Sequence, residues 1–160
     1  MKLSNLCVAT AIAFASAGAS AVNLGTLDLS SGSNNFGNTP IAGSFTDTIS
    51  FTLTTNSLFN ASFTSIVNGA QNVNFTSIVV TPGAFALVQL LPDPVEVWGN
   101  PAAFNLAPGS YTITMMGTNS AAIGSYGANV AVSPVPEPES FAMLLAGLGV
   151  VGLMLRRRQS

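Results

Sequence analysis

The stretch TISFTLT, which runs from Thr48 to Thr54, decides the fold of this 160-residue chain. Its apolar side chains, Ile49, Phe51 and Leu53, alternate without interruption with side chains that carry a hydroxyl group. Successive residues of a β-strand point to opposite faces, so this alternation indicates a strand that is half buried. We predict a strand whose inner face is apolar and whose outer face is a ladder of hydroxyl groups.

The rest of the chain repeats this pattern in shorter runs, and Gly, Asn and Pro clusters separate them. Strands at such spacing, with turn residues between them, are typical of sandwiches and jelly rolls. Charged residues that could give a helix its polar face are nearly absent. We therefore predict a mainly β protein, with one antiparallel β-sandwich or jelly-roll-like domain over residues 22–133, which we call the passenger. The further predicted strands are Leu24–Leu29, Ala61–Val67, Val73–Val80, Ala84–Leu90, Ser110–Met116 and Asn129–Ser133.

The distribution of charge excludes several kinds of partner. The chain has four basic residues, and all of them, Lys2 and the cluster Arg156–Arg158, lie in the two terminal segments. The passenger therefore has no cation, and its four acids give it a formal charge of −4. Nucleic-acid binding requires Lys or Arg to neutralise phosphates, so we predict no nucleic-acid partner. A basic contact with anionic lipid headgroups is excluded for the same reason. The four acids are Asp28, Asp47, Asp93 and Glu96.

The residue types that usually perform chemistry are also scarce. The chain has no histidine, and its single cysteine, Cys7, lies in the segment that we expect to be removed on export. Sites for zinc or copper that are built from Cys or His cannot be assembled in the passenger. Ser110 and Ser125 have no His or Lys to activate them as nucleophiles. We expect no catalytic residue, no cofactor and no metal, and predict that the protein is not an enzyme.

Four alternative sites are weighed against simpler interpretations. Asp93 and Glu96 could form a pair of glycosidase carboxylates, but the prolines around them favour a solvated loop. A calcium site at Asp28, Asp47 or Asp93 would lack the repeated acids of a calcium-binding loop. The hydroxyl ladder from Thr48 to Thr54 could face ice or a glycan, although the solvent face of an ordinary strand has the same pattern. Three aromatic residues could stack on sugar rings, but packing into the core is the preferred interpretation; these are Trp98, Tyr111 and Tyr126.

The first 21 residues have the pattern of a secretory signal peptide. A short charged region at Lys2 precedes an apolar stretch from Leu6 to Ala17, and small residues follow at Ala19 and Ala21. Signal peptidase accepts small residues at such positions, so we expect cleavage after Ala21. The partners implied are signal peptidase and the Sec machinery, and the protein should be exported across the inner membrane.

The C-terminal segment, residues 134–160, has the pattern of a membrane anchor. An apolar run from Phe141 to Leu155 is followed at once by Arg156–Arg158. As a helix the run would rise about 22 Å, against roughly 30 Å of hydrocarbon, so it would be a marginal transmembrane helix. Arginines favour the cytoplasmic side, which would place the passenger outside.

This segment resembles the PEP-CTERM sorting signal of Gram-negative bacteria. The resemblance rests on Val135, on Pro136-Glu137-Pro138, on the apolar run and on the terminal arginines. It implies recognition by exosortase, a membrane enzyme, and processing near the Pro-Glu-Pro. Delivery to the cell surface or to an extracellular polymer matrix would follow.

The passenger also resembles a family of PEP-CTERM proteins with an F-x-D-x-F signature. Phe45, Asp47 and Ile49 occupy the signature positions, with Ile49 in place of the second Phe, and Phe51 follows on the same face. We expect these residues to be structural, with the Asp47 carboxylate accepting hydrogen bonds from backbone N–H groups at a turn where the strand begins. The resemblance implies no catalytic residue.

Two functions remain after these exclusions. The first is a noncatalytic surface or matrix protein that exosortase sorts and that associates with extracellular polymer, such as the exopolysaccharide of a biofilm. The second is a secreted module that binds a glycan or a protein.

Overall fold

The computed structural model describes residues 19–40, 42–120, 124–136 and 138–158. Within these ranges the chain forms eleven strands followed by one helix. In chain order they are β1 (Ser20–Thr26), β2 (Ser33–Asn38), β3 (Gly43–Leu53), β4 (Ser57–Ile66), β5 (Val73–Thr81), β6 (Phe85–Ala86), β7 (Val88–Leu91), β8 (Val95–Gly99), β9 (Phe104–Leu106), β10 (Gly109–Asn119), β11 (Tyr126–Pro134) and α1 (Pro138–Arg158).

The strands form two sheets. Sheet A has the order β1-β3-β10-β5-β6, and sheet B has the order β2-β11-β4-β8-β7, with β9 paired to β4. The pair β1 and β3 is parallel, whereas the other described pairs are antiparallel. The chain passes repeatedly between the sheets, so residues distant in sequence become neighbours in space.

The core lies between the two sheets and is rich in aromatic rings. Phe51 of sheet A stacks on Phe59 of sheet B, with ring centroids 5.3 Å apart. Phe75 of sheet A contacts Phe63 and Tyr126 of sheet B edge-on, at 6.0 and 5.2 Å. Aromatic pairs in these arrangements add roughly 0.5–1.5 kcal/mol beyond the area that they bury. These contacts between sheets confirm the predicted sandwich.

The strand predicted at Thr48–Thr54 is confirmed as the second half of β3, which ends at Leu53, and Ile49, Phe51 and Leu53 are buried there. Val73–Val80 is also confirmed, within β5. Ala107 and Pro108 join β9 to β10, and Gly109 is the first residue of β10.

Other strand predictions were wrong in part. Leu24–Leu29 was predicted as a strand, but β1 begins at Ser20 and ends at Thr26. Ala84–Leu90 is divided into β6 and β7, and β2, β8 and β9 were not predicted at all. β8 was missed because its residues were interpreted as part of a proline-rich loop. The parallel pairing of β1 also differs from the fully antiparallel sheet that we expected.

The helix α1 contains the predicted apolar run, and its described apolar side chains are exposed. Among the residues that the structure describes, no helix is long and apolar enough to cross a membrane. The structure therefore confirms a helix at the C-terminal segment but does not confirm the transmembrane assignment of 141–155.

Candidate functional site

The sorting segment begins where the sandwich ends. Pro134, the last residue of β11, pairs with Ser57 of β4, and the Val135 N–H donates a hydrogen bond to the Asn56 carbonyl at 2.8 Å. Pro136 then precedes α1, which starts at Pro138. Arg156 and Arg157 are exposed near the end of the helix, and Glu137 lies outside the described residues. The sandwich therefore holds the chain as far as Val135.

The predicted signal peptide lies mostly outside the described residues, which begin at Ala19. Ala19 immediately precedes β1, and Ala21 is the second residue of that strand. Cleavage after Ala21 would leave Val22 and Asn23 paired with Asp47 and Thr48 of β3. Most of β1 would therefore survive the predicted cleavage.

Asp47 is a fully buried carboxylate that connects the two sheets. It lies in β3 of sheet A, and its Oδ2 accepts hydrogen bonds from the Tyr126 hydroxyl at 2.7 Å and from the Asn38 amide at 2.8 Å. Both donors belong to sheet B. The Asp47 Oδ1 atom has no hydrogen-bond partner among the described residues.

This geometry corrects our expectation for Asp47. The acid lies inside β3 rather than at a turn, and its donors are side chains rather than backbone N–H groups. Burial, together with the hydrogen bond to Asp47 and the charge of Asp47, raises the pKa of Tyr126 far above its ordinary value. Tyr126 therefore stays protonated and continues to donate over the whole physiological pH range.

Glu96 is a second buried carboxylate, and it makes the reciprocal connection from sheet B to sheet A. It lies in β8 with 1% of its surface exposed. Its Oε1 accepts hydrogen bonds from the Trp98 indole at 2.8 Å and from the Gln89 amide at 3.0 Å. Its Oε2 accepts from the Phe75 N–H of sheet A at 3.1 Å, and the Ser65 hydroxyl lies 3.2 Å away.

A backbone irregularity explains how Phe75 can donate to this acid. The register between β5 and β10 shifts between Met116 and Gly117, opposite Phe75. A β-bulge takes a residue out of the regular ladder and allows a backbone group to bond elsewhere. The Phe75 N–H therefore donates across the core to Glu96.

The interpretation of Asp93 and Glu96 as one solvated loop was wrong for Glu96. Asp93 is exposed in the turn between β7 and β8, where it accepts a hydrogen bond from the Asn72 amide at 2.8 Å. Glu96 points into the core instead. The two carboxylates thus face different environments, and only the exposed one can meet a substrate from solvent. Among the described residues, no group of three or more His, Cys, Asp and Glu side chains is placed to hold a metal ion.

The aromatic residues that we considered for sugar stacking belong to the core, as the preferred interpretation predicted. Tyr111 and Tyr126 are buried, and Trp98 packs against the core cluster. The Tyr111 hydroxyl donates to the Ala107 carbonyl at 2.8 Å, across the turn before β10. Phe45, Ile49 and Phe51 also lie in the core, as expected.

The outer face of sheet A carries the predicted hydroxyl ladder, and β10 extends it. Ser110 pairs with Thr52 and Thr112 pairs with Ser50, and each pair of hydroxyl oxygens is 3.2 Å apart. Thr114 continues the row opposite Thr48. The row of hydroxyl groups predicted for β3 alone is therefore part of an array that spans β3 and β10. The sequence could not show this because the two strands are about 60 residues apart, as the hydroxyl pairs show.

An open groove of about 520 Å³ lies at the end of this array. Ligand sites in proteins commonly have volumes of roughly 300–1,000 Å³. The groove is bounded by the ends of β1, β3 and β11, by the start of β4 and by the connections between them. Its lining residues are Thr26, Leu27, Asp28, Leu29, Ser30, Thr52, Leu53, Thr54, Thr55, Ser57, Val132 and Pro134.

Backbone hydrogen bonds fix one wall of the groove to both sheets. The Leu27 N–H donates to the Ser50 carbonyl of sheet A at 2.7 Å, and the Val132 N–H of sheet B donates to the Gly32 carbonyl at 2.7 Å. Asp28 accepts a hydrogen bond from the Ser30 N–H at 2.9 Å. This hydrogen bond, with a contribution from the Ser30 hydroxyl, lowers the pKa of Asp28. The groove is therefore preformed and carries one exposed negative charge.

Comparison with known proteins identifies the C-terminal segment. Residues 134–158 match the family model of the PEP-CTERM protein-sorting motif. No curated protein matches the chain. The chain thus carries the sorting motif of exported proteins that exosortase processes, as the resemblance in its sequence predicted.

Solved structures that resemble the chain are distant. The pre-peptidase C-terminal domain of collagenase from Bacillus anthracis is 14% identical, with a TM-score of 0.40 over 72% of this chain and 97% of that chain. PliG from Aeromonas hydrophila, a periplasmic inhibitor of g-type lysozyme, is 15% identical, with a TM-score of 0.37 over 72% of this chain and 100% of that chain.

Proposed function

We propose that this protein, a carrier of the PEP-CTERM sorting motif, is a noncatalytic component of the cell surface or the extracellular matrix. Its C-terminal helix anchors it transiently in the inner membrane, and exosortase then processes it near the Pro-Glu-Pro. The passenger is delivered outside the cell, where it associates with extracellular polymer.

The observation that carries this proposal is the position of the sorting motif relative to the sandwich. The motif begins at Pro134, and the hydrogen bonds of the sandwich end at Val135. Processing after Val135 would remove no residue of any strand. The passenger can therefore leave the membrane as an intact fold.

The noncatalytic role is supported by how the acids of the passenger are used. Asp47 and Glu96 are buried and hydrogen-bonded between the sheets. Asp28 and Asp93, which are exposed, accept hydrogen bonds from Ser30 in the same connection and from Asn72 in the β4–β5 connection, respectively. The two exposed acids lie in separate connections, and the passenger has no His, Lys or Arg that could act with either of them in general acid–base catalysis.

A second candidate function is a secreted module that binds a glycan or a protein. The preformed groove of about 520 Å³ favours it. This function is compatible with the first, since a matrix protein must contact polymer through some part of its surface.

Membrane fractionation tests the proposed sorting. We expect the full chain to accumulate in the membrane fraction of cells that lack exosortase and to be released as a shorter form in cells that have it. A chain that ends at Pro136 keeps every strand, so it should be folded and soluble in both strains.

Substitution of Arg156–Arg158 by Glu should reduce correct anchoring in the same fractionation, because the positive charges that hold the helix end in the cytoplasm are lost.

The chain that ends at Pro136 also serves as the control for the anchor. If that chain remains fully membrane-bound, the C-terminal segment is not the anchor and the proposal fails. Release of the full chain at the same rate in both strains would exclude exosortase as its processing enzyme.

A further inference from the structure

The groove at the end of sheet A has a lining that selects for one kind of ligand. Six of its lining residues carry hydroxyl groups, which can both donate and accept hydrogen bonds. Five others are aliphatic or proline, and one is an acid, Asp28. The hydroxyl residues are Thr26, Ser30, Thr52, Thr54, Thr55 and Ser57.

The charge of the groove excludes anionic ligands. Asp28 is exposed at the groove, and the stretch between Lys2 and Arg156 contains no cation that could pair with a phosphate, sulfate or uronate group. An anionic polymer would meet like charge without any compensating contact. A cationic peptide could form an ion pair with only one carboxylate, because the other polar side chains of the groove carry hydroxyl groups.

A neutral sugar chain fits both parts of the lining. Its hydroxyl groups can exchange hydrogen bonds with the threonines and serines, and the apolar C–H faces of its rings can pack on side chains such as Leu29 and Val132. Because hydrogen bonds already fix the Leu27–Gly32 connection to both sheets, little ordering of the protein is needed on binding.

The hydroxyl array indicates that the ligand is a polymer rather than a single sugar. Thr52 and Thr54 line the groove, and Thr52 also belongs to the array. From there the paired hydroxyls of β3 and β10 continue along the outer face of sheet A. A ligand seated in the groove would meet this uncharged polar surface if it extended beyond the groove.

We propose that the groove and the adjoining hydroxyl array form a binding site for a neutral polysaccharide. This inference rests on the proposed association with extracellular polymer, and it names the surface and the class of polymer. It is independent of how the protein is sorted.

Affinity electrophoresis of the full chain in neutral detergent tests this site. Native gels contain one of three neutral polymers, dextran, pullulan or hydroxyethyl cellulose, or the anionic polymer polygalacturonate. We expect at least one neutral polymer to retard the protein and polygalacturonate not to retard it. Thr54→Trp places a large side chain in the groove and should weaken the apparent affinity about tenfold or more.

Thr39→Trp is the matched control, because Thr39 is also an exposed threonine but follows β2 of sheet B, outside both the groove and the hydroxyl array. Its affinity should stay within about twofold of the unsubstituted chain. If Thr54→Trp lowers the urea midpoint, Thr55→Trp replaces it, since Thr55 is exposed and lines the same groove.

Each contrary result has a distinct meaning. Retardation by a neutral polymer that neither Thr54→Trp nor Thr55→Trp weakens would overturn the groove as the site and leave the proposed function standing. Retardation by polygalacturonate alone would overturn the neutral class of ligand. Absence of retardation in all three neutral polymers would overturn the inference, while sorting by exosortase is judged separately by fractionation.

Discussion

At the scale of single residues, the unusual feature is a buried acid in a domain that has no cation. A buried carboxylate normally requires a charged partner or several hydrogen bonds. Asp47 has two hydrogen bonds, both from sheet B, and both reach the same oxygen. The acid therefore holds the two sheets in one relative position, and its removal deprives the Tyr126 hydroxyl and the Asn38 amide of their carboxylate acceptor.

Asp47→Ala should destabilise the domain that ends at Pro136 by about 2–4 kcal/mol, because the Tyr126 hydroxyl and the Asn38 amide lose a charged acceptor. With a denaturant slope of about 2 kcal/mol per M, the urea midpoint should fall by roughly 1–2 M. Asp47→Asn keeps an oxygen acceptor and should recover part of this loss. Equilibrium unfolding in urea, followed by tryptophan fluorescence, measures all three proteins.

A chelator provides the control for Asp47. EDTA should leave the urea midpoint of the unsubstituted domain unchanged, because the role we assign to Asp47 needs no metal. A large loss of stability that calcium reverses would contradict this role and make Asp47 a metal ligand.

At the scale of secondary-structure elements, β8 shows how one strand brings an acid into the core. Glu96 and Trp98 are two residues apart, so their side chains lie on the same face of the strand. The indole N–H donates to the carboxylate on that face. The Gln89 amide of the adjacent strand β7 and the Phe75 N–H of β5, in the opposite sheet, also donate to it. Asp93 precedes the strand and stays in solvent.

Two acids that are three positions apart should therefore respond differently to substitution. Glu96→Ala should destabilise the domain by about 3–5 kcal/mol, because it leaves the buried Phe75 N–H and the partly buried Trp98 and Gln89 donors without their carboxylate acceptor. Asp93→Ala should cost about 1 kcal/mol or less, because its hydrogen bond to Asn72 is exposed. The urea midpoints of the two variants decide whether Glu96 lies in a buried strand or in a solvated loop. Equal effects of the two substitutions would contradict the buried position of Glu96.

The sequence predicted those parts of the fold that depend on local patterns. Alternation identified β3, and the sorting motif was recognised from contiguous residues. The partners of Asp47 could not be predicted, because Asn38 and Tyr126 lie 9 and 79 positions away. β8 was a different kind of error: the spacing of Glu96 and Trp98 indicates a shared face, but the prolines before them directed the interpretation towards a loop. The groove depends on four strand ends that only the tertiary structure brings together.

At the scale of the whole molecule, the sandwich occupies the chain between the predicted signal peptide and the sorting motif. The predicted signal peptide enters sheet A through β1, and the sorting motif leaves sheet B through β11. β1 is an edge strand, so shortening it at its first residues disturbs no strand other than β3.

The mature N-terminus should be Val22. Cleavage there removes the pairs that Ser20 and Ala21 make with Phe45 and Thr46 but leaves the pairs from Val22 onward. Mass spectrometry of the intact exported protein measures this end directly. A mature protein that still contains Met1 or Ser4 would contradict the export pathway that we infer.

The confinement of every Lys and Arg to the terminal segments has a consequence for how this protein is detected. Trypsin cleaves after Lys and Arg because the aspartate in its specificity pocket binds those side chains. It therefore finds no site between Lys2 and Arg156 even in the unfolded chain, and the unprocessed chain yields one fragment from Leu3 to Arg156. Amine-reactive labels likewise find no lysine in the passenger. Standard tryptic surveys of surface proteins will miss this molecule even where it is abundant. Chymotrypsin cuts at aromatic residues, so it will give detectable peptides once the protein unfolds and exposes its core.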